Sequence, residues 1–264
     1  QIEASLQTAY YRELERERNR RLQTLQLASA TLMHLAEGDE TRFWHLVLTV
    51  ATAGYGFGFN RAVLFLSEDH GAVLRGVMGI GCRNAAEALA HWAADAEAGL
   101  EFEQYLEQIR RSGPPVSPID ALVDADHGFA RVLRSGTQEI VPARAVAALP
   151  EAYPAAFGAT AYAVIPIRAS ARTIGILVVD NMFTCHPLRA GLLNQLEIFL
   201  AQAALIRENV QQRHERDRLL HLTHTVLAQM EHSPLQPILS EIATAAREAT
   251  GADSVLIYPF QPNR

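Results

Sequence analysis

Ala161-Tyr-Ala-Val-Ile-Pro-Ile-Arg168 and Thr173-Ile-Gly-Ile-Leu-Val-Val-Asp180 are the stretches on which the fold turns. Both are apolar runs rich in β-branched residues, and the segment that joins them, Ala169 to Arg172, is tight. That combination predicts a β-hairpin, the strongest strand pair in the chain. Pro166 cannot donate to a ladder, so its strand is expected to run at an edge there or to be locally irregular.

Upstream, Arg61-Ala-Val-Leu-Phe-Leu-Ser67 and Val73 to Ile80 form a second candidate hairpin about the turn Asp69-His70-Gly71. Between the hairpins, Asn84 to Arg111 has a helical pattern carrying Leu89, Trp92, Leu100, Tyr105 and Ile109. After the breaker Ser112-Gly-Pro-Pro-Val-Ser-Pro118 come a short helix, Phe129 to Arg134, closed by Ser135-Gly136, and a brief strand, Glu139 to Val141. Pro142 to Thr160 holds three prolines and little periodicity, and reads as a long surface loop of the kind that forms lids.

Helical patterns bracket this core. Residues 3–36 lack Gly and Pro, and Leu14, Arg18, Arg21, Leu25, Ala28, Leu32 and Leu35 alternate by four and three. Gly38 ends that helix. Asp39 or Thr41 can cap a second one, Arg42 to Ala53, with Phe43, Leu46, Val47 and Val50 on one face, broken by Gly54, Gly56 and Gly58. An exit helix starts near Pro187 and repeats the alternation through Leu196, Phe199, Ala203, Ile206, Val210, Arg213, Asp217, Leu220, His224 and Leu227. Heptad spacing predicts a homodimer, with Leu25, Leu32, Leu196, Phe199, Ala203, Ile206 and Val210 at its interface. The polar pair Arg213 and Asp217 weakens this seam, which suits a helix that shifts register to transmit a signal.

An internal repeat closes the chain. An offset of 192 residues sets Arg61 against Asp253, Leu46 against Ile238, Val50 against Ile242, Thr52 against Thr244 and Ala53 against Ala245. Val63, Leu64 and Phe65 then fall on Val255, Leu256 and Ile257. A helix, a small-residue break and an apolar strand are therefore expected twice, the second strand spanning Ser254 to Phe260 with an unpaired edge.

The chain has 264 residues and a net charge of −6, with no basic stripe interleaved with aromatics, which argues against a nucleic-acid reader. Cys82 and Cys185 build no disulfide framework and suit a reducing, cytoplasmic compartment. No run of 18 apolar residues is present to span a membrane. The start at Gln1-Ile2-Glu3 and the end at Gln261-Pro262-Asn263-Arg264 read as cuts through a longer polypeptide, with the effector expected beyond residue 264.

The order of elements, with Gly58-Phe-Asn-Arg-Ala-Val-Leu-Phe-Leu66, Val132-Leu-Arg-Ser-Gly136, Ala163-Val-Ile-Pro-Ile167, Ile174-Gly-Ile-Leu-Val-Val-Asp-Asn181 and Leu196-Glu-Ile-Phe-Leu-Ala-Gln-Ala-Ala204, resembles the GAF domain family of bacterial sensor kinases, cyclases and phosphodiesterases. The resemblance implies an α+β fold related to PAS domains: a central, mostly antiparallel sheet with helices on one face, a ligand cavity on the other, and coiled-coil helices leading in and out, through which two copies pair as a parallel homodimer. It divides the chain into an N-terminal signalling helix (1–38), a sensory domain (39–207), an exit linker helix (196–228) that overlaps the domain's end, and the start of a second GAF-like domain (229–264). The implied role is regulatory: sensing a small molecule, or only a partner, and relaying the signal through paired helices to an effector.

Nothing in the sequence points to catalysis or requires a cofactor. Gly-x-Ser-x-Gly, phosphate-binding Gly-rich and His-Glu-x-x-His motifs are missing. The Asn-Lys-x-x-x-Phe-Asp-Glu signature of cyclic-nucleotide-binding GAF domains is missing too, and the adjacent pair Cys185-His186 lies after the last strand, where a bilin-binding cysteine would not be. Cys185-His186 is at most half a metal site, so no metal is assigned. Asp180-Asn181 reads as a turn bonded to local amides. If a small molecule binds, its walls are expected from Phe65, Met78, Cys82, Trp92, Phe157 and Tyr162. The alternatives are a dimerisation spacer with a filled sheet face, and a thiol redox domain using Cys82, such as a methionine-sulfoxide reductase.

Overall fold

Both predicted hairpins form, and they lie side by side. The computed structural model describes residues 2–54, 56–68, 73–82, 84–98, 104, 121–122, 128–146, 160–170, 172–230 and 235–257. The first hairpin is β1 (Arg61–Glu68) with β2 (Val73–Gly81), and the second is β5 (Tyr162–Ala169) with β6 (Arg172–Asp180). β1 and β6 join them, antiparallel, from Arg61 opposite Asp180 to Leu66 opposite Gly175. The short strands β3 (Ala121–Leu122) and β4 (Glu139–Val141) extend the two sides, giving the order β3-β2-β1-β6-β5-β4. Among the described residues β4 pairs with β5 only at Tyr162 to Val164, short of Pro166, and the register of β5 with β6 shifts just after the proline, between Ile167 and Arg168, the local irregularity expected beside it.

Side chains alternate across this sheet and bury on both faces. Ala62, Leu64, Ala163, Ile165, Ile167, Leu177 and Val179 form one core with α2 (Glu40–Thr52), the last third of α1 (Ile2–Leu35) and the first third of α6 (Ala190–Met230). Val63, Phe65, Tyr162, Val164, Ile176 and Val178 face the other way and meet Phe129, Ala130 and Val132 of α4 (Gly128–Ser135). The helical pattern after β2 forms α3 (Ala85–Ala98); its expected continuation to residue 111 lies outside the described residues apart from Gln104. The expected loop after β4 opens with a single helical turn, α5 (Ala143–Val146), and residues 147–159 lie outside the description.

α2 is capped as expected: the Asp39 carboxylate accepts from the Arg42 amide at 2.9 Å. Beyond Thr52 the chain doubles back on the helix, the Phe57 amide donating to Val50 O at 3.0 Å and the Phe59 amide to Ala51 O at 3.1 Å. This return needs a glycine, because a Cβ on Gly56 would stand 2.2 Å from Val50 O. It seats Phe57 and Phe59 in the core, and Arg21 Nε of α1 donates to Gly56 O at 2.9 Å.

The predicted dimer seam is corrected by burial. Leu32, Leu196 and Ala203 are 0% exposed and Phe199 is 3%, all within their own chain. Leu25 and Ile206 pack against the same core, and Val210 is buried as well. Three–four alternation marks any apolar helix face, and here that face joins the core built by α1, α2 and the sheet of the same chain. α6 also starts at Ala190, three residues later than Pro187 suggested.

The chain divides into two compact units, residues 1–208 and 209–264. The second contains the remainder of α6 and α7 (Leu235–Thr250), with an exposed ion pair from Arg218 to Glu248 at 2.9 Å. The expected strand from Ser254 is not formed as far as Ile257, and Tyr258 to Phe260 lie outside the description. A strand without a ladder leaves its amides and carbonyls unmatched, so nothing holds this run extended.

Candidate functional site

Two features of the first unit can carry function: an aromatic sheet face, and a polar knot where the sheet hands over to α6. On the face, the Phe129 ring lies edge-on to Phe65 (centroids 5.0 Å apart) and to Tyr162 (5.9 Å). All three are fully buried, so the described part of this face is filled by its own aromatics.

The expected ligand walls are divided by strand alternation. Phe65 and Tyr162 share this face, whereas Met78 pairs opposite Leu64 and packs with the other core. A register shift between Leu64 and Phe65 lies beside it and does not bring Met78 across. Cys82 follows β2 directly and is half-buried. Trp92 falls in α3, but its side chain and all of Phe157 lie outside the described residues.

The knot forms where β1 begins and β6 ends. Arg61 and Asp180 face each other across the ladder, and their side chains are 7% and 2% exposed. Arg61 Nε and Nη2 both donate to Asp180 Oδ2, at 2.9 and 2.6 Å, while Asp180 Oδ1 accepts from the Met182 amide at 3.1 Å. Burial pushes the Asp180 carboxyl above its ordinary range, outweighing the pull of Arg61 and of the Met182 amide. Asn60 completes the knot: its amide donates to Asp180 O at 2.9 Å, and its Oδ1 accepts from the amides of Phe183 (2.7 Å) and Thr184 (2.8 Å) and from Thr184 Oγ1 (3.2 Å). Asn181 Nδ2 donates to His186 O at 3.1 Å. The bond from Asp180 to a local amide was legible as Asx-type chemistry, but the Arg61 partner 119 residues away was not. An arginine opening one apolar strand and an aspartate closing another is the only signal for it.

α6 is gripped again farther along. Arg207 sits 5.7 Å from the centroid of the Trp44 ring and is ion-paired to Glu40, and Ser170 in the β5–β6 turn donates to Glu208. An open groove of about 510 Å³ lies beside α4, lined by Arg131, Arg134, Ser135, Thr137, Gln138 and Glu139. No sequence feature marked it. Arg131 there is ion-paired to Glu139. Among the described residues no three His, Cys, Asp or Glu gather as a metal would require, and neither Cys82 nor Cys185 forms a disulfide. Among those residues no helix is long and apolar enough to cross a membrane.

The family described as GAF domain matches residues 46–206. Among solved structures, the chain is similar to a methyl-accepting chemotaxis protein fragment at 14% identity, with 70% of this chain and 97% of that chain covered and a TM-score of 0.49. It is similar to the GAF-B domain of DevS from Mycobacterium smegmatis at 14% identity, covering 71% and 98%, with a TM-score of 0.41. It is also similar to a free methionine-R-sulfoxide reductase from Neisseria meningitidis at 13% identity, covering 70% and 90%, with a TM-score of 0.42. No curated protein matches.

Proposed function

This chain belongs to the GAF domain family, whose members are sensory and regulatory signalling domains, and we propose that it is a non-catalytic sensor whose sheet drives its exit helix. In this reading a bound small molecule or partner shifts the sheet. The knot passes the shift to α6, which carries it to an effector in the same polypeptide. The observation that supports the relay is the double grip on α6: Asn60, Arg61 and Asp180 hold the loop that launches it, and Arg207 and Glu208 hold it about five turns into the helix. In this reading a displacement of β1 against β6 carries α6 with it.

Hydrogen exchange tests this directly. Asn60→Ala removes three acceptor contacts from the 183–184 backbone and side chain. Exchange over residues 181–200 should accelerate about tenfold or more, with α2 little changed. Equal exchange in both proteins would remove the knot as the coupling element. Native mass spectrometry of the purified chain, after incubation with a metabolite extract, tests the sensing half. A retained small molecule that slows exchange in α6 is the expected result.

A second reading, a spacer without a ligand, is favoured by the filled packing of Phe65, Phe129 and Tyr162. Failure to retain any small molecule would favour it. A thiol redox role for Cys82 draws support only from its half-buried position outside any disulfide. The setting proposed for either reading is cytoplasmic.

A further inference from the structure

The groove beside α4 has a chemistry unlike that of the aromatic sheet face. Its described lining offers two guanidinium groups (Arg131, Arg134), two hydroxyls (Ser135, Thr137) and the amide of Gln138, against one carboxylate, Glu139. Two positive charges and one negative leave it net positive, on a chain whose net charge is −6. Positive charge gathered in a concave site draws small anions out of bulk water. Local structure builds this set. α4 ends at Gly136, whose φ of 64 turns the chain out of the helix, and its amide closes on Val132 O at 2.8 Å. Ser135 Oγ accepts from the Thr137 amide at 3.2 Å, which holds both hydroxyl residues at the turn. Glu139 then opens β4 and takes a fork from Arg131, whose Nε donates to Oε2 at 3.0 Å and whose Nη2 donates to Oε1. The fork fixes the plane of the guanidinium and engages the one carboxylate of the described lining, which blunts its repulsion of an anion.

We propose that this groove binds a small oxyanion, a carboxylate or a phosphate ester, and that the bound anion is a signal delivered to α6. The proposal rests on the reading of α6 as a relay helix, and it places the ligand away from the filled aromatic face. A volume of about 510 Å³ is that of a small-molecule site. Guanidinium groups and hydroxyls together match the oxygens of such anions, which accept several hydrogen bonds at once. The route to α6 is one side chain long. Gln138 Nε2 donates to Asn194 Oδ1, in the second turn of the helix. Gln138 Oε1 is enclosed and has no hydrogen-bond partner among the described residues, so the amide is held from its nitrogen side alone. An anion seated across Arg131, Arg134 and Thr137 restrains the segment that carries Gln138 and firms its clasp on α6. This clasp is separate from the knot at Asp180 and from the grip at Arg207 and Glu208.

The test titrates the whole chain with inorganic phosphate and, separately, with succinate, by calorimetry at fixed ionic strength. Binding with a dissociation constant of about 1 mM or tighter is expected for at least one of them, and the two titrations tell a phosphate site from a carboxylate site. Arg134→Gln should weaken that binding at least about tenfold, and Arg134→Lys, which keeps the charge without the planar fork, about threefold. Arg134 is exposed, so circular dichroism and melting of both variants should match the wild type. Should Arg134→Gln not fold, Thr137→Val gives a second reading, about threefold weaker through the lost hydroxyl donor. In hydrogen exchange the anion should slow residues 190–197 about threefold or more, and Asn194→Ala should bind it equally well yet lose that response. No binding of either anion, or equal affinity in Arg134→Gln, overturns the site and leaves the relay from the sheet standing. Binding that depends on Arg134 while exchange in α6 stays unchanged supports the site and overturns its coupling to the helix.

Discussion

The same sequence pattern occurs twice in this chain, and the two regions meet different fates. In the first, Leu46 and Val50 of α2 are 0% exposed, and Arg61, opening the strand that follows, is locked to Asp180. In the second, Ile242 of α7, the match for Val50, is only half-buried, Asp253 in the place of Arg61 is exposed, and no strand has formed as far as Ile257. The helices also end differently. After Thr52 the first region has Ala-Gly-Tyr-Gly-Phe-Gly, and the glycines let the chain turn back on α2. The second region has Ala-Ala-Arg-Glu-Ala-Thr at those positions, all tolerated in a helix, so α7 runs on to Thr250 and stops at Gly251 with φ 65. An apolar strand sequence is thus insufficient. It becomes a strand where neighbouring strands supply a ladder and a return turn delivers it there.

The contrast can be broken most severely at the knot. Asp180→Ala leaves the Arg61 charge buried without its carboxylate and should lower unfolding free energy by about 3–5 kcal/mol in urea titration. Arg61→Met with Asp180→Leu should recover most of that loss, since apolar replacement of a buried pair is often neutral. Asp253→Ala, at the matching place in the second region, should change stability by no more than about 0.5 kcal/mol. Similar losses at residues 180 and 253 would show that the second region builds a knot of its own.

Cavity formation sharpens the comparison next. Leu46→Ala should cost about 2–5 kcal/mol, because its neighbours on α2 and the sheet close around it. Ile242→Ala should cost less than about 1 kcal/mol, as its side chain keeps access to water. Matching values would mean that α7 already has a closed core.

The smallest effect is electrostatic. Burial raises the Asp180 pKa in the folded chain above its unfolded value, so the protonated carboxyl favours the fold. That contribution is complete below the ordinary carboxylate range and is lost as pH rises through the raised value. The stability of the wild type relative to Asp180→Asn should therefore decline from acidic toward neutral pH, as read from urea midpoints. An increase over the same window would show that Arg61 outweighs desolvation.

Much of the fold was legible because its signals are local. The runs at 161–168 and 173–180, the cap at Asp39 and the proline at 166 each express a preference that depends on few neighbours. The candidate site was legible only in part. Phe65 and Tyr162 do share a face, but Met78 stands on the other, because strand register and not proximity in sequence assigns the sides. Arg61 and Asp180 were seen singly and never as a pair.

By itself the sequence determined both hairpins, the long helices, the capped start of α2 and the family, since periodicity and turn chemistry act over a few residues. Tertiary structure decided what each apolar face touches. Leu196, Phe199 and Ala203 follow a rule that a coil seam and a core-facing helix both obey. Only the core of α1, α2 and the sheet, which removes their apolar surface from water within one chain, separates the two.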